Sequence, residues 1–157
     1  MTTAMKIKTP APAVRWLVET GRIGEKESIL DFGAGFGRNT DYLRKLGHSV
    51  YSYDPVHGRT ESGWTGTSNR MPDIADFDII LTVFVLNVLK PEEEREVRAE
   101  LDLWRCSITE TFHVVRNNDL LKDHSLFQAL EGFKTSRGFQ RYVTGEAIKT
   151  APSWRIL

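Results

Sequence analysis

Cysteine occurs once in this chain of 157 residues, at position 106. An internal disulfide is therefore impossible, and a zinc site built on paired cysteines is excluded. Cys106 directly follows an amphipathic helical pattern, so a packed or idle thiol is a plainer reading than a nucleophile. Long apolar runs are missing as well. The longest, Ile79 to Leu89, has 11 residues and is interrupted by Thr82 and Asn87. A membrane-spanning helix needs about 20. The first nine residues carry Lys6 and Lys8 but no apolar stretch, unlike a secretory signal. These absences predict a cytoplasmic protein with no membrane partner. Charge of one sign is absent too, since Lys plus Arg and Asp plus Glu both total 21. That disfavours a broadly basic nucleic-acid-binding surface and leaves room for a local basic patch.

What remains is ordinary globular composition, 40% hydrophobic and 27% charged. The length fits one domain over residues 1–157, able to bury roughly 70% of its unfolded surface without a metal or disulfide. No repeat or flexible linker divides it. Helix-like and strand-like pieces alternate, which predicts an α/β fold with a mostly parallel sheet and helices on both faces. Val14, Leu17 and Val18 recur at helical spacing after Pro10 and Pro12. Ser28 to Phe32 and His48 to Tyr53 read as strands, separated by a helix from Arg38 to Leu46 whose Tyr42, Leu43 and Leu46 face inward. Asp78 to Leu86 is the most apolar strand and so the most central. Pro91 opens a helix with Glu92, Glu93 and Glu94 in its first turn, where the helix dipole favours anions. A strand over 107–115 and a helix over 120–130 follow. Two short strands around a helix near 145–150 complete the chain.

The most informative segment is Asp31-Phe32-Gly33-Ala34-Gly35-Phe36-Gly37-Arg38-Asn39. It is a strand, a glycine turn and a helix N-terminus in succession. Glycine permits positive φ and close approach of a ligand to bare backbone, and the helix N-terminus attracts anions. A phosphate-binding P-loop needs lysine and then Ser or Thr after its last glycine, which Arg38-Asn39 does not supply. The dinucleotide fingerprint needs a small residue where Arg38 stands. The remaining D-x-G-x-G-x-G pattern resembles motif I of the class I S-adenosylmethionine (SAM) dependent methyltransferases. Asp54 ends the next strand 17 residues beyond Gly37, near where nucleotide-binding α/β folds place a ribose-binding acid.

The resemblance spans about residues 10–115 and implies a Rossmann-like methyltransferase domain that converts SAM to S-adenosylhomocysteine. It implies cofactor contacts from Asp31, Phe32, Gly33, Gly35, Gly37, Asn39, Asp54 and Pro55. In that picture Asp31 suits the cofactor's ammonium, exposed turn amides suit its carboxylate, and Asp54 grips both ribose hydroxyls. Phe77 to Leu89 is similar to the family's fourth strand, which implies that Thr82, Val83 and Phe84 line the cofactor and Asn87 lies near the methyl group. A capping role before Pro91 is the blander reading of Asn87. The runs Val85 to Leu89 and Pro91 to Arg95 are further similar to methyltransferases associated with DNA phosphorothioation. Thr135 to Tyr142 resembles a segment of small phage-borne methyltransferases.

The departures are informative. The Asn/Asp-Pro-Pro-aromatic motif of amino-methylating DNA enzymes and a Pro-Cys nucleophile are both absent. Residues 56–76 are too short and glycine-rich for a helix–strand unit, so the third strand and its helix are expected to be reduced or missing. The bare edge this leaves predicts a homodimer. His113 and His57 are the candidate bases, His113 and Asn87 being the candidate catalytic residues. Arg116, Arg137, Phe139 and Arg141 are candidate acceptor-binding residues, since three cations and an aromatic within 134–141 suit a nucleotide or DNA. A solvated hairpin is the plain alternative. A SAM-binding regulatory or SAM-consuming protein and a nicotinamide enzyme stay open beside the methyltransferase.

Overall fold

The computed structural model describes residues 6–73, 76–117, 124–143 and 152–157. In chain order the elements are α1 (Pro12–Glu19), β1 (Ser28–Phe32), α2 (Arg38–Lys45), β2 (Ser49–Tyr53) and β3 (Ile79–Val83). A 3-10 turn (Leu86–Val88), α3 (Pro91–Asp102), β4 (Glu110–Arg116), α4 (Leu126–Glu131), β5 (Phe133–Thr135), β6 (Gly138–Gln140) and β7 (Trp154–Ile156) follow. β1 is apolar on both faces and therefore sits inside the sheet, pairing in parallel with β2 and with β3. β4 extends the parallel array beside β3, and β7 closes that side antiparallel. The order is β2-β1-β3-β4-β7. The chain runs outward from β1 to β2, then returns across β1 to β3. Such a reversal opens a crevice beyond the C-terminal ends of β1 and β3, where open α/β sheets hold ligands.

Strand alternation assigns the two faces. Ile29, Val50, Leu81 and Phe112 pack with Val14 and Leu17 of α1 and Leu43 of α2. Leu30, Phe32 and Ile80 turn the other way, onto Phe77 and Leu101 of α3. Each such side chain, fully buried, contributes roughly 2 kcal/mol. α2 ends where glycine allows it: Gly47 takes φ 97°, and His48 and Gly47 donate back to the Leu43 and Arg44 carbonyls. Leu46, expected to face inward, is the capping residue and is 47% exposed. The central strand stops at Val83, earlier than expected, because Phe84 adopts φ 58°. α4 begins at Leu126. Residues 118–123 and the helix expected near 145–150 lie outside the described residues.

No strand or helix lies between β2 and β3 among the described residues, as the composition of 56–76 predicted. The edge is nevertheless not bare. Ser52 donates its N–H to the Gly63 carbonyl (2.7 Å) and accepts from Ser68 N–H (3.0 Å), while Asp54 N–H reaches the Ser68 carbonyl (2.9 Å). Arg44 of α2 holds this substitute in place, donating to the carbonyls of Val50, Gly63 and Gly66 at 2.9, 2.7 and 3.0 Å. Replacing Arg44 by methionine removes a charged donor from three carbonyls. Arg44→Met should cost roughly 2–4 kcal/mol and speed hydrogen exchange at Ser52 and Ser68. Native-like protection at both amides would mean that the segment holds itself.

Candidate functional site

The crevice forms a cavity of about 1030 Å³. One wall is the glycine turn. Gly33, Gly35 and Gly37 take φ of 76°, 61° and 83°, and a Cβ on Gly33 would lie 2.5 Å from Val85 Cγ2. The turn is clasped to the next strand. Gly33 and Ala34 N–H both donate to the Tyr53 carbonyl (2.8 and 2.9 Å), Gly35 N–H to Asp54 Oδ2 (2.8 Å), and Gly37 N–H to the Ala34 carbonyl (3.0 Å). The glycine amides therefore do not await an anion, contrary to the sequence expectation. The N–H groups without intrahelical partners are those of the first turn of α2, at Arg38, Asn39 and Thr40. Arg38 and Asn39 line the cavity there.

The two acids behave differently from expectation. Asp31 is 1% exposed, and its Oδ2 accepts the Thr40 hydroxyl at 2.6 Å. Its Oδ1 is buried without a partner, and Asp31 does not line the cavity. Burial pushes its pKa up to about 6, against the lowering pull of the Thr40 hydrogen bond and of Arg44. Asp54 does line the cavity, but Oδ1 already takes the N–H groups of Val56 (2.9 Å) and His57 (2.7 Å) and lies 3.2 Å from His57 Nδ1. A carboxylate oxygen offers about two lone pairs. Only Oδ2, with its single bond to Gly35, keeps one for a ligand, so a two-oxygen grip is not available.

Of the remaining expected cofactor contacts, Phe32, Pro55, Val83 and Phe84 line the cavity, and Gly37 and Thr82 do not. Thr82 is fully buried, 2.7 Å from His113 Nδ1 across the β3–β4 pair. His113 faces α3 and does not line the cavity. Burial, then Arg98, lowers its pKa to about 4. That corrects its reading as a base. His57 does line the cavity, its ring 4.7 Å from Phe36. Phe84, a non-glycine residue at φ 58°, holds strain of order 1–3 kcal/mol at the wall. Asn87 also lines the cavity at 1% exposure. It is not a cap: Nδ2 donates to Gln140 Oε1 at 2.9 Å, and Oδ1 has no partner.

The far wall is the β5–β6 hairpin with the end of β4. Arg116, Lys134, Arg137 and Phe139 all line the cavity. Arg141 does not. It is 5% exposed, with Nε donating to the Leu89 carbonyl (2.6 Å) and Nη2 to Glu94 Oε2. Glu94 Oε1 accepts from Arg98 (2.9 Å), so Arg141 anchors the hairpin to α3 rather than meeting a ligand. Cys106 lies outside the cavity, its Sγ 3.2 Å from Thr109 Oγ1. Sequence reasoning missed Arg38, Tyr53, Glu100 and Gln140 as cavity residues. Tyr53 was findable, since it precedes the acid at the strand end. Gln140 lay inside a segment weighed only for its cations and its aromatic.

Asp31 and His113 give opposed pH dependences. A raised acid pKa means that the folded state gains protons as pH falls from about 6 toward 4, which stabilises it. A lowered histidine pKa means that the unfolded state alone gains protons between about 6.5 and 4, which destabilises the fold. Each is worth roughly 3 kcal/mol at 1.36 kcal/mol per pH unit. Wild-type stability should therefore change little from these two groups between pH 6.5 and 4. Asp31→Asn should expose a steady loss over that window in denaturant titrations. Parallel curves for the two proteins would refute the assignment.

No protein-family model and no curated protein matches this chain. Solved structures do. Burkholderia thailandensis 1,6-didemethyltoxoflavin-N1-methyltransferase, with 1,6-didemethyltoxoflavin and S-adenosylhomocysteine bound, is 20% identical with a TM-score of 0.64, over 85% of this chain and 60% of that one. A structure described for conversion of a disulfide bond into a thioacetal group during echinomycin biosynthesis is 18% identical with a TM-score of 0.58, over 75% of this chain and 55% of that one. The glycopeptide N-methyltransferase MtfA is 11% identical with a TM-score of 0.55, over 78% of this chain and 61% of that one. The chain thus spans less than two thirds of each of these proteins. The fold is the Rossmann-like fold of the class I SAM-dependent methyltransferases, with a five-stranded, mostly parallel sheet. Among the described residues no helix is long and apolar enough to cross a membrane.

Proposed function

We propose that this chain is a SAM-dependent methyltransferase acting on a nucleotide-like acceptor. The observation that carries the reading is one cavity with two unlike walls, a glycine turn on one side and a cationic, aromatic hairpin on the other. Its volume of about 1030 Å³ reaches the top of the usual range for a single-ligand pocket, about 300–1,000 Å³. The residues fit the cofactor on two counts. The cradle at Gly33 has no space for a Cβ, and Asp31 Oδ1 is a buried carboxylate oxygen without a partner. Bound there, SAM supplies a methyl carbon already activated on a sulfonium. The first-turn amides of α2 and Arg38 suit its carboxylate, the Asp31 charge suits its ammonium from beneath the turn, and Asp54 Oδ2 suits a ribose hydroxyl. The protein's task is then alignment and exclusion of water.

On the opposite wall, Arg116, Lys134 and Arg137 suit a phosphate, and Phe139 offers a stacking face. The likeness of Val85–Leu89 and Pro91–Arg95 to phosphorothioation-associated methyltransferases, and of Thr135 to Tyr142 to phage-borne ones, narrows the neighbourhood within the methyltransferases and leaves the acceptor to be read from the cavity wall. The single exposed thiol, Cys106, fits a reducing cytoplasm. A homodimer through β2 would first have to displace residues 60–68. The second reading is a SAM-binding regulatory module, favoured by the withdrawal of His113 from the cavity. An acceptor nitrogen carrying its own lone pair needs no such base, so the catalytic reading stands.

Calorimetry should show micromolar binding of SAM and S-adenosylhomocysteine and weaker binding of NAD, with Gly33→Ala abolishing the first two. NAD binding tighter than SAM would reverse the cofactor assignment. Two arginines separate the roles on the far wall. Arg137→Ala should leave SAM affinity unchanged and weaken nucleotide binding by about tenfold, whereas Arg141→Ala should cost roughly 2–3 kcal/mol of stability by leaving Glu94 Oε2 unpaired while Arg98 keeps Oε1. Equal melting temperatures for wild type and Arg141→Ala would contradict the anchoring role.

A further inference from the structure

We infer that Asn87, held by Gln140, is the residue that selects the acceptor, and that it requires an N–H donor on the acceptor's base. The inference rests on the methyltransferase reading and sharpens it. Asn87 is 1% exposed and Gln140 6%, and both line the cavity. The Asn87 amide has its Nδ2 committed to Gln140 Oε1 at 2.9 Å, which leaves Oδ1 as an acceptor with nothing to accept. A buried acceptor left unmade costs about 1–3 kcal/mol, so folded proteins rarely keep one. A ligand N–H placed there recovers that cost, and a ligand carrying a lone pair there does not. The same geometry supplies discrimination, since a site built to accept one hydrogen bond rejects the analogue that lacks the donor.

The surroundings say what carries the N–H. Arg116, Lys134, Arg137 and Phe139 share the cavity with Asn87, which favours a flat anionic molecule over a neutral aliphatic amine. An exocyclic amine or ring N–H of a nucleotide base meets all three demands. The reading and gripping residues are also tied together. The Asn87 carbonyl accepts the Arg141 N–H at 2.8 Å, and Arg141 bolts the hairpin to Glu94. The base edge and the phosphate grip are thus set at a fixed spacing by adjoining residues, Gln140 and Arg141.

The test is calorimetry on the full chain saturated with S-adenosylhomocysteine. Probes are the four nucleoside 5′-monophosphates, their nucleosides, and for the tightest base an analogue lacking the donor, such as purine riboside monophosphate beside AMP. Loss of the donor should weaken wild-type binding by about tenfold or more. Asn87→Leu and the smaller Asn87→Ser should bind donor and analogue equally. Asn87→Asp, which keeps an oxygen acceptor, should retain the preference. The inference is overturned if wild type ignores the donor, if Asn87→Asp loses the preference as Asn87→Leu does, or if no nucleoside or nucleotide binds. Nucleosides binding as well as nucleotides, with the Asn87 dependence intact, would uphold it and remove the phosphate grip from the proposed function. Nucleotide binding that depends on Arg137 and not on Asn87 would do the reverse. Failure of S-adenosylhomocysteine itself to bind would strike the cofactor reading on which both rest.

Discussion

The arrangement depends first on the clasp between the turn after β1 and the end of β2. Three successive N–H groups, from Gly33, Ala34 and Gly35, reach across to the Tyr53 carbonyl and the Asp54 carboxylate. A residue with a Cβ at Gly33 would need a strained φ and would strike Val85, so the clasp exists only because glycine stands there. Once made, it fixes the start of α2, turns Tyr53 toward Phe32 at 5.0 Å, and holds Asp54 over the following turn. The crevice that topology places at the strand reversal thereby acquires one rigid wall. The price is that the turn's own amides are occupied, so any anion held on this side falls to the helix behind it.

How much of this the residues disclose depends on the range of the interaction. β1, α2 and the glycine turn were legible because apolar runs, a helical repeat and φ-permissive residues act over a few positions. The missing third strand was legible for the same reason, from a segment unable to form one. What stayed hidden needed a partner far along the chain. His113 looked available until the β3–β4 register set it against Thr82 on the α3 face. Arg141 looked like one cation of a cluster of three, but its guanidinium answers a glutamate 47 residues away. The covering of the β2 edge by residues 60–68 was hidden in the same way, since it requires Arg44 to bind carbonyls at 63 and 66.

A chain with no net charge still separates charge locally. The cavity receives Arg116, Lys134 and Arg137 from the hairpin side and Glu93 and Glu100 from α3. Glu100 lies near enough to Tyr53 to add to the rise that burial imposes on the phenol's pKa. Such a cavity discriminates by orientation more than by total charge: an anionic end is drawn to the hairpin and repelled by the helix. Neutral composition therefore argues against broad, sequence-independent binding to a polyanion without arguing against one anionic ligand.

Two buried oxygens lack partners around this crevice, Asp31 Oδ1 under the glycine turn and Asn87 Oδ1 beyond the end of β3. They lie on opposite sides of the point where the sheet order reverses, and each would be cheaper for the fold to satisfy or remove. An Ala at either position would leave no such oxygen buried. Phe84, strained between them, keeps β3 from running on and closing the gap. Strain and unmet hydrogen bonds placed together in this way mark where selection for a ligand outweighs selection for stability. Asp31 lies behind the cavity wall and acts through its charge, whereas Asn87 is in the wall itself, so under the proposed function the two ends of the cavity suit different molecules. A transfer reaction between two bound partners needs such an asymmetry, and a pocket for one ligand does not.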